Sequence, residues 1–344
     1  MKISDLGRSA LGICAVIAVL AGCGSQAPIG GPGAPQVQAK KMEAPLTNPN
    51  LYVANDGNNT VTVYRNGKNS LLRTISNGIK QPAALAVGKA GYLYVANDKN
   101  YTVTEYAPRK TSVLRTIRQG ISEPVAFAFD GFNNLYVANY AANTVTVYVE
   151  GQTKVLRTIS QDVKGPSSLG FDNSGNLYVA NKNGNTVTVY PAYGSTLLQT
   201  ISKGVSYPNT IAFDGSSNLY VANGDNNTVT VYHSGSNSLL RTISKGINVP
   251  DALAFDSSGN LYVANYYGND VTVYAPGKTL VLRTIHSFVF GPAALVFDSA
   301  GNLYVANYGY NYGFSTVSVY APSGAPKGRI KKYVSKPFAL AFGP

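Results

Sequence analysis

Residues 51–55 read Leu-Tyr-Val-Ala-Asn, and the same five letters return six more times along the chain. Each copy starts 42 positions after the one before, at Leu93, Leu135, Leu177, Leu219, Leu261 and Leu303. A fixed period of about 40 to 50 residues is typical of repeat proteins, in which one supersecondary unit is used many times. A unit of that size cannot bury a core alone, so neighbouring units must pack together.

The clearest complete unit covers residues 250–285 and contains four short apolar segments separated by turn residues. The segments are residues 250–256, 261–265, 271–274 and 280–285, with Gly, Asn, Asp, Ser and Pro concentrated between them. Four strands in a meander form one blade of a β-propeller. The segments are almost continuously apolar, which indicates that neighbouring blades cover both faces of each sheet.

The two ends of the repeat array complement one another. Only the segment 43–46 stands where a first strand should precede the copy at Leu51, whereas residues 337–342 repeat the first-strand pattern after the last complete unit. The C-terminal strand would therefore complete the blade that begins at Leu51 and remove the open sheet edges. The sequence predicts an all-β, seven-bladed propeller with four-stranded blades over residues 50–344. A β-solenoid, the alternative, would not need the missing strand at the far end.

The chain before the repeats reads as an export signal followed by a tether. Residues 1–22 carry an apolar run of about a dozen residues, too short for a membrane span and typical of a secretory signal. They lead into Leu20-Ala21-Gly22-Cys23, which resembles a bacterial lipobox and implies that Cys23 carries a lipid. An ordinary signal with an incidental Cys is the alternative. Residues 23–49, rich in Gly, Pro, Ala and Gln, are predicted to form a flexible tether.

This organisation predicts an exported protein that is attached to the bacterial envelope through its N-terminal lipid. Gly24 stands where an Asp would favour retention at the inner membrane, so we expect the outer membrane or the cell surface. Cys14 would leave with the signal, which leaves the mature chain without a pair of Cys for a disulfide. We expect the mature protein to be a monomer.

The repeat motifs resemble a known class of propellers. Pro-x-x-Leu-Ala-Phe-Asp, Gly-Asn-Leu-Tyr-Val-Ala-Asn, Val-Thr-Val-Tyr and Leu-Arg-Thr-Ile, all present in residues 250–285, are similar to the NHL repeat and to the related YVTN repeat. The resemblance covers about residues 50 to 344 and implies a fold but no particular activity. NHL repeats usually have Asp where this chain has Asn55 and a basic residue where it has Thr60, so their salt link cannot form. The chain has no Trp and is not a WD-repeat protein.

The formal charge of +12 raises the question of nucleic-acid binding. Much of the charge recurs once per unit on the fourth strands, at Arg73, Arg115, Arg157, Arg241 and Arg283. Such spacing gives a belt around the rim, whereas nucleic-acid binding needs clustered cations with stacking aromatic residues. We therefore expect no nucleic-acid partner. Attraction to anionic polysaccharide or lipid head groups is the more favoured consequence, and it would depend on salt.

Residues that recur identically in the units are interpreted as structural, because a site normally breaks the symmetry of a repeat. This applies to the belt of Arg, to the Asp that opens the first hairpin (Asp130, Asp172, Asp214, Asp256, Asp298) and to the Asn that ends each second strand (Asn55, Asn97, Asn139, Asn181, Asn223, Asn265, Asn307). Asn is expected to bond the backbone of its own turn.

The sequence favours no catalytic residue, no metal site and no cofactor. His233 and His286 are the two His, and neither belongs to a metal-binding or nucleophile motif. The resemblance implies one alternative, since some related propellers are metal-dependent lactonases of the gluconolactonase type and another resembles a streptogramin lyase. Such lactonases use a Glu, an Asn and an Asp near the axis, and the few Glu here do not fall on inner-strand positions of that kind.

The symmetry is broken most visibly in the seventh unit. It carries an insertion of four residues after its second strand, and the connection before it reads His-Ser-Phe-Val-Phe-Gly where other units have Ser-Lys-Gly-Ile. Both segments should lie on one face. Aromatic residues in Gly-, Asn- and Ser-rich loops are typical of recognition loops. We predict a non-catalytic binding or scaffold module that recognises a protein or polysaccharide through this face. The ligand-binding candidates are Tyr266, Tyr267, His286, Phe288, Phe290, Tyr308, Tyr310, Tyr312 and Phe314. Drift in a recently duplicated array, with aromatic residues packing on each other, is the alternative.

Overall fold

The computed structural model describes residues 49–65, 69–309 and 315–344. Seven four-stranded antiparallel sheets are arranged in a ring, which confirms the predicted seven-bladed propeller. In blades 2 to 7 the chain runs from the innermost to the outermost strand and then crosses to the innermost strand of the next blade, whereas blade 1 takes its innermost strand from the C-terminal end of the chain. Innermost strands of neighbouring blades contact one another around the axis.

The strands of the first four blades, from innermost to outermost, have these bounds. Blade 1 contains β28 (Pro337–Gly343), β1 (Asn50–Asn55), β2 (Thr60–Tyr64) and β3 (Leu71–Ile75). Blade 2 contains β4 (Pro82–Val87), β5 (Leu93–Asn97), β6 (Thr102–Tyr106) and β7 (Arg115–Ile117). Blade 3 contains β8 (Pro124–Phe129), β9 (Leu135–Asn139), β10 (Thr144–Tyr148) and β11 (Arg157–Ile159). Blade 4 contains β12 (Pro166–Phe171), β13 (Leu177–Asn181), β14 (Thr186–Tyr190) and β15 (Gln199–Ile201).

The last three blades follow the same order. Blade 5 contains β16 (Pro208–Phe213), β17 (Leu219–Asn223), β18 (Thr228–Tyr232) and β19 (Leu239–Ile243). Blade 6 contains β20 (Pro250–Phe255), β21 (Leu261–Asn265), β22 (Asp270–Tyr274) and β23 (Val281–Ile285). Blade 7 contains β24 (Pro292–Phe297), β25 (Leu303–Asn307), β26 (Thr316–Tyr320) and β27 (Pro326–Ile330). Short 3-10 helices follow two second strands, at Asp56–Asn58 and Lys182–Gly184.

The ring closes as the sequence predicts. β28 pairs antiparallel with β1, with Asn50 opposite Gly343 and Val53 opposite Leu340. The Tyr52 hydroxyl also donates to the Pro344 carbonyl oxygen at 2.9 Å. The described ranges contain no helix with the length and apolar character needed to cross a membrane. The predicted signal, Cys23 and the tether lie outside the described residues.

The apolar strands are buried because each blade is covered by its neighbours on both faces. Six Tyr–Phe ring contacts join the second strand of one blade to the first strand of the next, at centroid distances of 5.0 to 5.5 Å and near-perpendicular angles. Edge-to-face aromatic pairs of this kind stabilise a fold beyond the area that they bury. The repeated Tyr and Phe therefore hold the blades together.

The Asn at the end of each second strand ties the turns to the connections between blades. In all seven copies its Oδ1 accepts a backbone N–H from the preceding connection at 2.9 to 3.1 Å. Its Nδ2 donates to a Thr or Ser hydroxyl of the third strand at 2.9 to 3.0 Å. All seven side chains are fully buried. This supports a structural role, with bonds that extend past the local turn to the inter-blade connection.

The repeated Asp and Arg side chains also bond within their own blades. Asp172, for example, accepts the Ser174 and Asn176 backbone N–H groups at 2.9 and 2.8 Å in the first hairpin. Arg73, Arg157 and Arg241 each donate to the hydroxyl of a second-strand Tyr at 2.7 to 2.8 Å. These contacts favour the structural interpretation of both series.

Candidate functional site

The candidate site lies at one end of the ring, which we call the upper face. The turns between second and third strands and the connections between blades meet at this end. Each innermost strand begins here with a Pro, and the residue after that Pro lies near the axis of the ring. We call these seven residues the axial ring. In the order of blades 1 to 7 they are Phe338, Ala83, Val125, Ser167, Asn209, Asp251 and Ala293.

Three members of the axial ring are polar, and they fall in consecutive blades 4, 5 and 6. Ser167, Asn209 and Asp251 are 0%, 0% and 3% exposed. Ser167 Oγ donates to the carbonyl oxygen of Pro208 at 2.7 Å, and Asn209 Nδ2 donates to that of Pro250 at 3.0 Å. Each of these two side chains therefore reaches the Pro that opens the next blade. An ionised carboxylate at Asp251 has no hydrogen to donate in the same way.

Lys182 brings a buried ammonium group to the same place. It follows Asn181 of β13, opens a 3-10 helix and is only 1% exposed. Its backbone N–H donates to the Gly165 carbonyl oxygen at 2.9 Å, which fixes the start of its side chain. Lys182 belongs to blade 4, yet its charge acts on Asp251 of blade 6. Two groups separated by a whole blade can interact in this way only near the axis.

Gly224 of blade 5 occupies the position that Lys182 occupies in blade 4. A Cβ atom added at Gly224 would lie 2.9 Å from Asn209 Nδ2 and 3.3 Å from the Tyr207 carbonyl oxygen. A larger residue at this position would therefore force the Asn209 side chain to shift, since a contact below 3.0 Å makes a neighbour move.

Three polar atoms of this cluster have no hydrogen-bond partner among the described residues: Lys182 Nζ, Asn209 Oδ1 and Asp251 Oδ1. We call them the open polar atoms. Lys182 Nζ instead lies 4.5 Å from the ring centroid of Tyr207. A buried polar group without a partner costs about 1 to 3 kcal/mol, and more when it is charged. Native proteins contain few of them, and each one calls for an explanation.

The buried environment opposes the charged forms of both ionisable groups. Loss of hydration lowers the pKa of Lys182, although the nearby Asp251 and Asp225 carboxylates act in the opposite direction. Loss of hydration also raises the pKa of Asp251, and the Lys182 ammonium only partly offsets this. Burial therefore acts against the ionised form of each group.

Two Tyr stand at the edge of the cluster. The Tyr140 hydroxyl donates to Asn183 Oδ1 at 3.0 Å, which links blade 3 to blade 4. Tyr207 lies in the connection that enters blade 5 and is partly exposed. Burial raises the pKa of Tyr207, and the neighbouring Tyr140 and Asp225 add to that effect. The cluster thus presents buried polar atoms beside partly exposed aromatic rings.

The aromatic residues predicted to form a site in blades 6 and 7 occupy two different places. Tyr308 lies toward the axis, where its ring contacts Phe338 at 5.8 Å and its hydroxyl donates to Asp56 Oδ2 at 3.1 Å. Phe288 lies toward the rim, where the guanidinium carbon of Arg329, on the outermost strand of blade 7, is 4.1 Å from its ring centroid. Strands are spaced by about 4.8 Å, so roughly 14 Å of blade separates the innermost and outermost strands.

The other predicted residues lie between these extremes. Tyr266 is buried and packs edge-on against Tyr267 at 5.3 Å, while Tyr267 is 58% exposed. His286 is exposed, and the Phe290 carbonyl oxygen accepts the Gly309 N–H at 3.2 Å. The unusual connection and the start of the insertion are therefore adjacent. Tyr310, Tyr312 and Phe314 lie outside the described residues.

The polar part of the axial ring was not predicted, although the sequence contains a signal for it. The position after the opening Pro is apolar in four units, and Ser, Asn and Asp stand there only in units 4 to 6. The position of Lys182 is occupied by Asp, Tyr or Gly in its siblings. These single substitutions are less conspicuous than an insertion, but they break the repeat at positions nearest the axis.

No protein-family model and no curated protein matches the sequence. Solved structures share the fold. Virginiamycin B lyase from Staphylococcus aureus aligns with a TM-score of 0.64 at 12% identity, over 76% of this chain and 91% of that one. A functionally unknown protein from Desulfotomaculum acetoxidans gives 0.71 at 15% identity, over 86% and 99%.

A third similar structure is a proposed 6-phosphogluconolactonase from Bacteroides uniformis, with a TM-score of 0.70 at 15% identity over 86% of this chain and 99% of that one. At identities this low the likeness shows the propeller fold alone. Fold likeness carries no activity with it, because one fold serves many functions. The resemblance to NHL and YVTN repeats stays a prediction from the motifs.

Proposed function

We propose that the protein is a non-catalytic binding module that takes its ligand at the upper face, against the polar part of the axial ring. The observation that carries this proposal is the set of open polar atoms, contributed by blades 4, 5 and 6. These atoms are closed off from solvent in the folded protein, so a ligand would reach them only after neighbouring side chains move. Bonding to them would then remove a cost that the folded protein otherwise carries. The proposed binding site therefore lies at the polar positions of the axial ring, where blades 4, 5 and 6 differ from the other blades.

The cluster suits binding better than metal-dependent lactonase chemistry. Asn209 and Asp251 could offer oxygen atoms, the donors that Ca²⁺ and Mg²⁺ prefer. Among the described residues, no three His, Cys, Asp or Glu side chains come together in a group that could hold a metal ion. The Lys182 ammonium would also repel a cation at this place. The residues present therefore do not fit a divalent ion.

We further propose the aromatic residues of blades 6 and 7 as a second contact on the same face. Tyr267 and Phe288 are 58% and 40% exposed, and Phe288 belongs to the connection in which the Phe290 carbonyl oxygen accepts the Gly309 N–H. Tyr308 and Phe338 form a separate aromatic pair nearer the axis. Tyr and Phe provide large, rigid contact area at low entropic cost. A macromolecular ligand would touch these residues while one group of it enters the axial cluster.

The remaining parts of the proposal rest on sequence. Lipidation at Cys23 would hold a monomeric propeller at the bacterial outer membrane or cell surface, with residues 24–49 as the tether. The partner would then be an envelope protein or polysaccharide. Replacing Cys23 with Ser should abolish incorporation of radioactive palmitate and release the protein from the membrane fraction. Unchanged labelling in that variant would contradict the lipid anchor.

Capture from a native envelope extract tests the proposed function. The full chain would be compared with Lys182→Met, with a variant in which residues 308–315 are shortened to the length of the sibling turns, and with Lys80→Met as a matched control. Lys80 is an exposed Lys on an inter-blade connection of the same face. We expect Lys182→Met to lose the captured ligand, the shortened loop to weaken its capture, and Lys80→Met to retain it. Equal capture by all four proteins would contradict the proposal.

A further inference from the structure

Phe288 and Tyr333 occupy the same position in two consecutive connections between blades. Each connection begins with a four-residue turn, closed by a backbone hydrogen bond of 3.3 Å from its fourth residue to its first. The third residue of the turn has a positive φ, which is 66° at Phe288 and 64° at Tyr333. This turn position favours Gly, and a bulky residue there is an outlier. Four of the other five connections have Gly at this position, namely Gly78, Gly120, Gly204 and Gly246, and the fifth has Asp162.

The fold itself imposes this turn conformation. The carbonyl oxygen of the second turn residue accepts the hydroxyl of a third-strand Tyr in the next blade, from Tyr320 to Ser287 and from Tyr64 to Lys332, both at 2.6 Å. The same bond recurs in the other five connections. A Gly at either aromatic position would keep these bonds and avoid the strain. Strain of this kind is typically found at functional sites.

Blade 7 is adapted to hold Phe288. A Cβ atom added to Gly246, in the preceding connection, would lie 3.1 Å from the Thr272 methyl carbon Cγ2. Blade 7 has Ser318 at the position of Thr272, since each pairs with the central Val of its second strand. Ser has no such methyl group, and Ser318 Oγ donates to the Phe288 carbonyl oxygen at 2.7 Å. The Phe288 ring is nonetheless 40% exposed, so core packing does not account for it.

Basic side chains surround the two rings. Five Lys or Arg fall within residues 327–336, and the sequence from residue 299 to residue 344 contains no Asp or Glu. The Arg329 guanidinium carbon is 4.1 Å from the Phe288 ring centroid, and Lys332 Nζ is 5.0 Å from that of Tyr333. Tyr333 is 52% exposed, and Lys331 is exposed beside it. We call Phe288, Arg329, Lys331, Lys332 and Tyr333 the basic-aromatic surface.

We infer that the basic-aromatic surface contacts a lipid bilayer that contains anionic phospholipids. The three cations would pair with lipid phosphate groups, while the two rings enter the head-group region, where exposed aromatic side chains are favoured. Clusters of roughly four to eight Lys or Arg are typical of segments that bind anionic lipids. A nucleic acid would instead stack its bases on the ring faces, and the protein's own cations lie over those faces here.

This surface is separate from the proposed binding site at the axis. The open polar atoms belong to blades 4, 5 and 6, whereas the basic-aromatic surface belongs to blade 7 and the connections on either side of it. Phe288 alone is shared with the second contact of the proposed function. If Cys23 carries the predicted lipid, the tether of residues 24–49 would span roughly 25 to 30 Å. The propeller could then rest on the membrane that anchors it.

Fluorescence quenching tests the contact, because the chain has no Trp and a single introduced Trp reports on its own position. Phe288→Trp and Tyr333→Trp place the reporter in the basic-aromatic surface. Asp162→Trp places it at the same turn position between blades 3 and 4 and serves as the control. Each full-length protein would also carry Cys23→Ser, so that no lipid is attached. The probes are vesicles of phosphatidylcholine, alone or with equimolar phosphatidylglycerol, with brominated acyl chains that quench Trp on contact.

We expect the anionic vesicles to quench Phe288→Trp and Tyr333→Trp and to shift their emission to shorter wavelength. Phosphatidylcholine vesicles should quench them only weakly, and Asp162→Trp should respond to neither. The quenching should decrease as salt is added, because salt screens exposed charges.

Charge variants test the contribution of the cations. Combining Lys331→Gln and Lys332→Gln with Tyr333→Trp should raise the lipid concentration for half-maximal quenching about fivefold for each Lys removed. Lys203→Gln with Lys245→Gln is the matched control, because these exposed Lys occupy the position of Lys332 in connections that have Gly next. This control should leave the half-maximal concentration unchanged.

Replacing the rings with Gly tests the argument from strain. Phe288→Gly and Tyr333→Gly should each weaken vesicle binding, measured by sedimentation, without lowering the midpoint of thermal unfolding. A lower midpoint would show that the rings are needed for folding and would overturn the inference.

Three other results would also overturn it. Equal quenching by the two kinds of vesicle would exclude a role for lipid charge, and equal quenching of Asp162→Trp would exclude this part of the rim. An equal emission shift with soluble polyphosphate would show a site for a soluble polyanion. None of these measurements involves Lys182. Loss of envelope capture in Lys182→Met without quenching at this surface would therefore leave the proposed function standing and the membrane contact wrong.

Discussion

Two sets of residues on the upper face, the Asn that end the second strands and the axial ring, differ in how uniform they are between blades. The Asn that end the second strands are identical in all seven blades, fully buried and bonded through both Oδ1 and Nδ2. One strand closer to the axis, the axial ring contains six different residue types in seven positions, and two of its polar atoms are open. Each Asn makes the same hydrogen bonds in its blade and fastens the preceding connection to it. The residues of the axial ring share no such structural bond, so they can differ between blades and can contact a ligand.

Breaking the Asn set should produce the largest effect on stability. Asn139→Ala removes an acceptor for the Ser122 N–H and a donor to Thr146, and it leaves those groups buried. Each lost bond or unsatisfied group costs about 1 to 3 kcal/mol, so we expect a loss of about 4 kcal/mol. Urea unfolding would measure it, with Asn173→Ala, a change at an exposed turn residue, as the control. A loss below about 1 kcal/mol would contradict the fastening role.

Burial of Asp251 in the axial ring should make the free energy of unfolding depend on pH. Burial raises the pKa of Asp251 to about 7 from an ordinary value of 3.8. The folded protein therefore holds a proton that the unfolded chain has released between about pH 4 and pH 7, so stability falls as pH rises through this window. Within this window one proton corresponds to a fall of about 1.4 kcal/mol for each pH unit.

At alkaline pH the stability of the fold should instead increase as pH rises. Burial lowers the pKa of Lys182 to about 8 from 10.5, so the unfolded chain binds more protons between those values and stability recovers as pH rises. Urea midpoints measured from pH 4 to pH 10 would show a minimum near pH 7 to 8. Asp251→Asn should reduce the fall, because burial also raises the pKa of Glu105 and Asp270 and these carboxyls contribute the rest. Lys182→Met should remove the recovery, whereas exposed Asp162→Asn should change neither. A profile of wild-type shape in Asp251→Asn would exclude this carboxyl as its origin.

Replacing Asp251 and Lys182 with apolar residues should stabilise the fold and abolish ligand binding. Ala stands at this position in blades 2 and 7, so Asp251→Ala combined with Lys182→Met replaces a buried charge pair with apolar groups. Replacements of that kind are often neutral or stabilising by about 1 to 4 kcal/mol, and we expect about 2 kcal/mol. Ligand capture should be lost at the same time. A destabilised double variant would show that the pair is part of the fold rather than of a site.

Most of the fold could be predicted from the sequence. The period gives the number of blades, the apolar segments give the four strands of each blade, and the first-strand pattern at the C-terminal end indicates that the ring is closed. The structural role of the Asn could be foreseen from identity alone, although its bonds to the connections could not. The approach of Lys182 to Asp251 was beyond prediction, since it depends on how the closed ring brings blades 4 and 6 together near the axis. The separation of Phe288 from Tyr308 was missed for a related reason: sequence places both on one face but does not give their distances from the axis.

A substitution at Gly224 should affect ligand binding at the axial ring while changing the stability of the fold very little. Gly224→Ala would place a Cβ atom 2.9 Å from Asn209 Nδ2, and the Asn209 side chain must shift to avoid it. Because Gly224 does not adopt a positive φ, the added methyl group carries no backbone strain, and stability should change by less than about 1 kcal/mol. The position of Asn209 Oδ1 would change nonetheless, so ligand affinity should fall severalfold. Gly215→Ala has open space around its Cβ position and serves as the matched control for both measurements. If Gly224→Ala bound as tightly as Gly215→Ala, the axial cluster would not be the place where the ligand is held, and the aromatic surface of blades 6 and 7 would become the leading candidate.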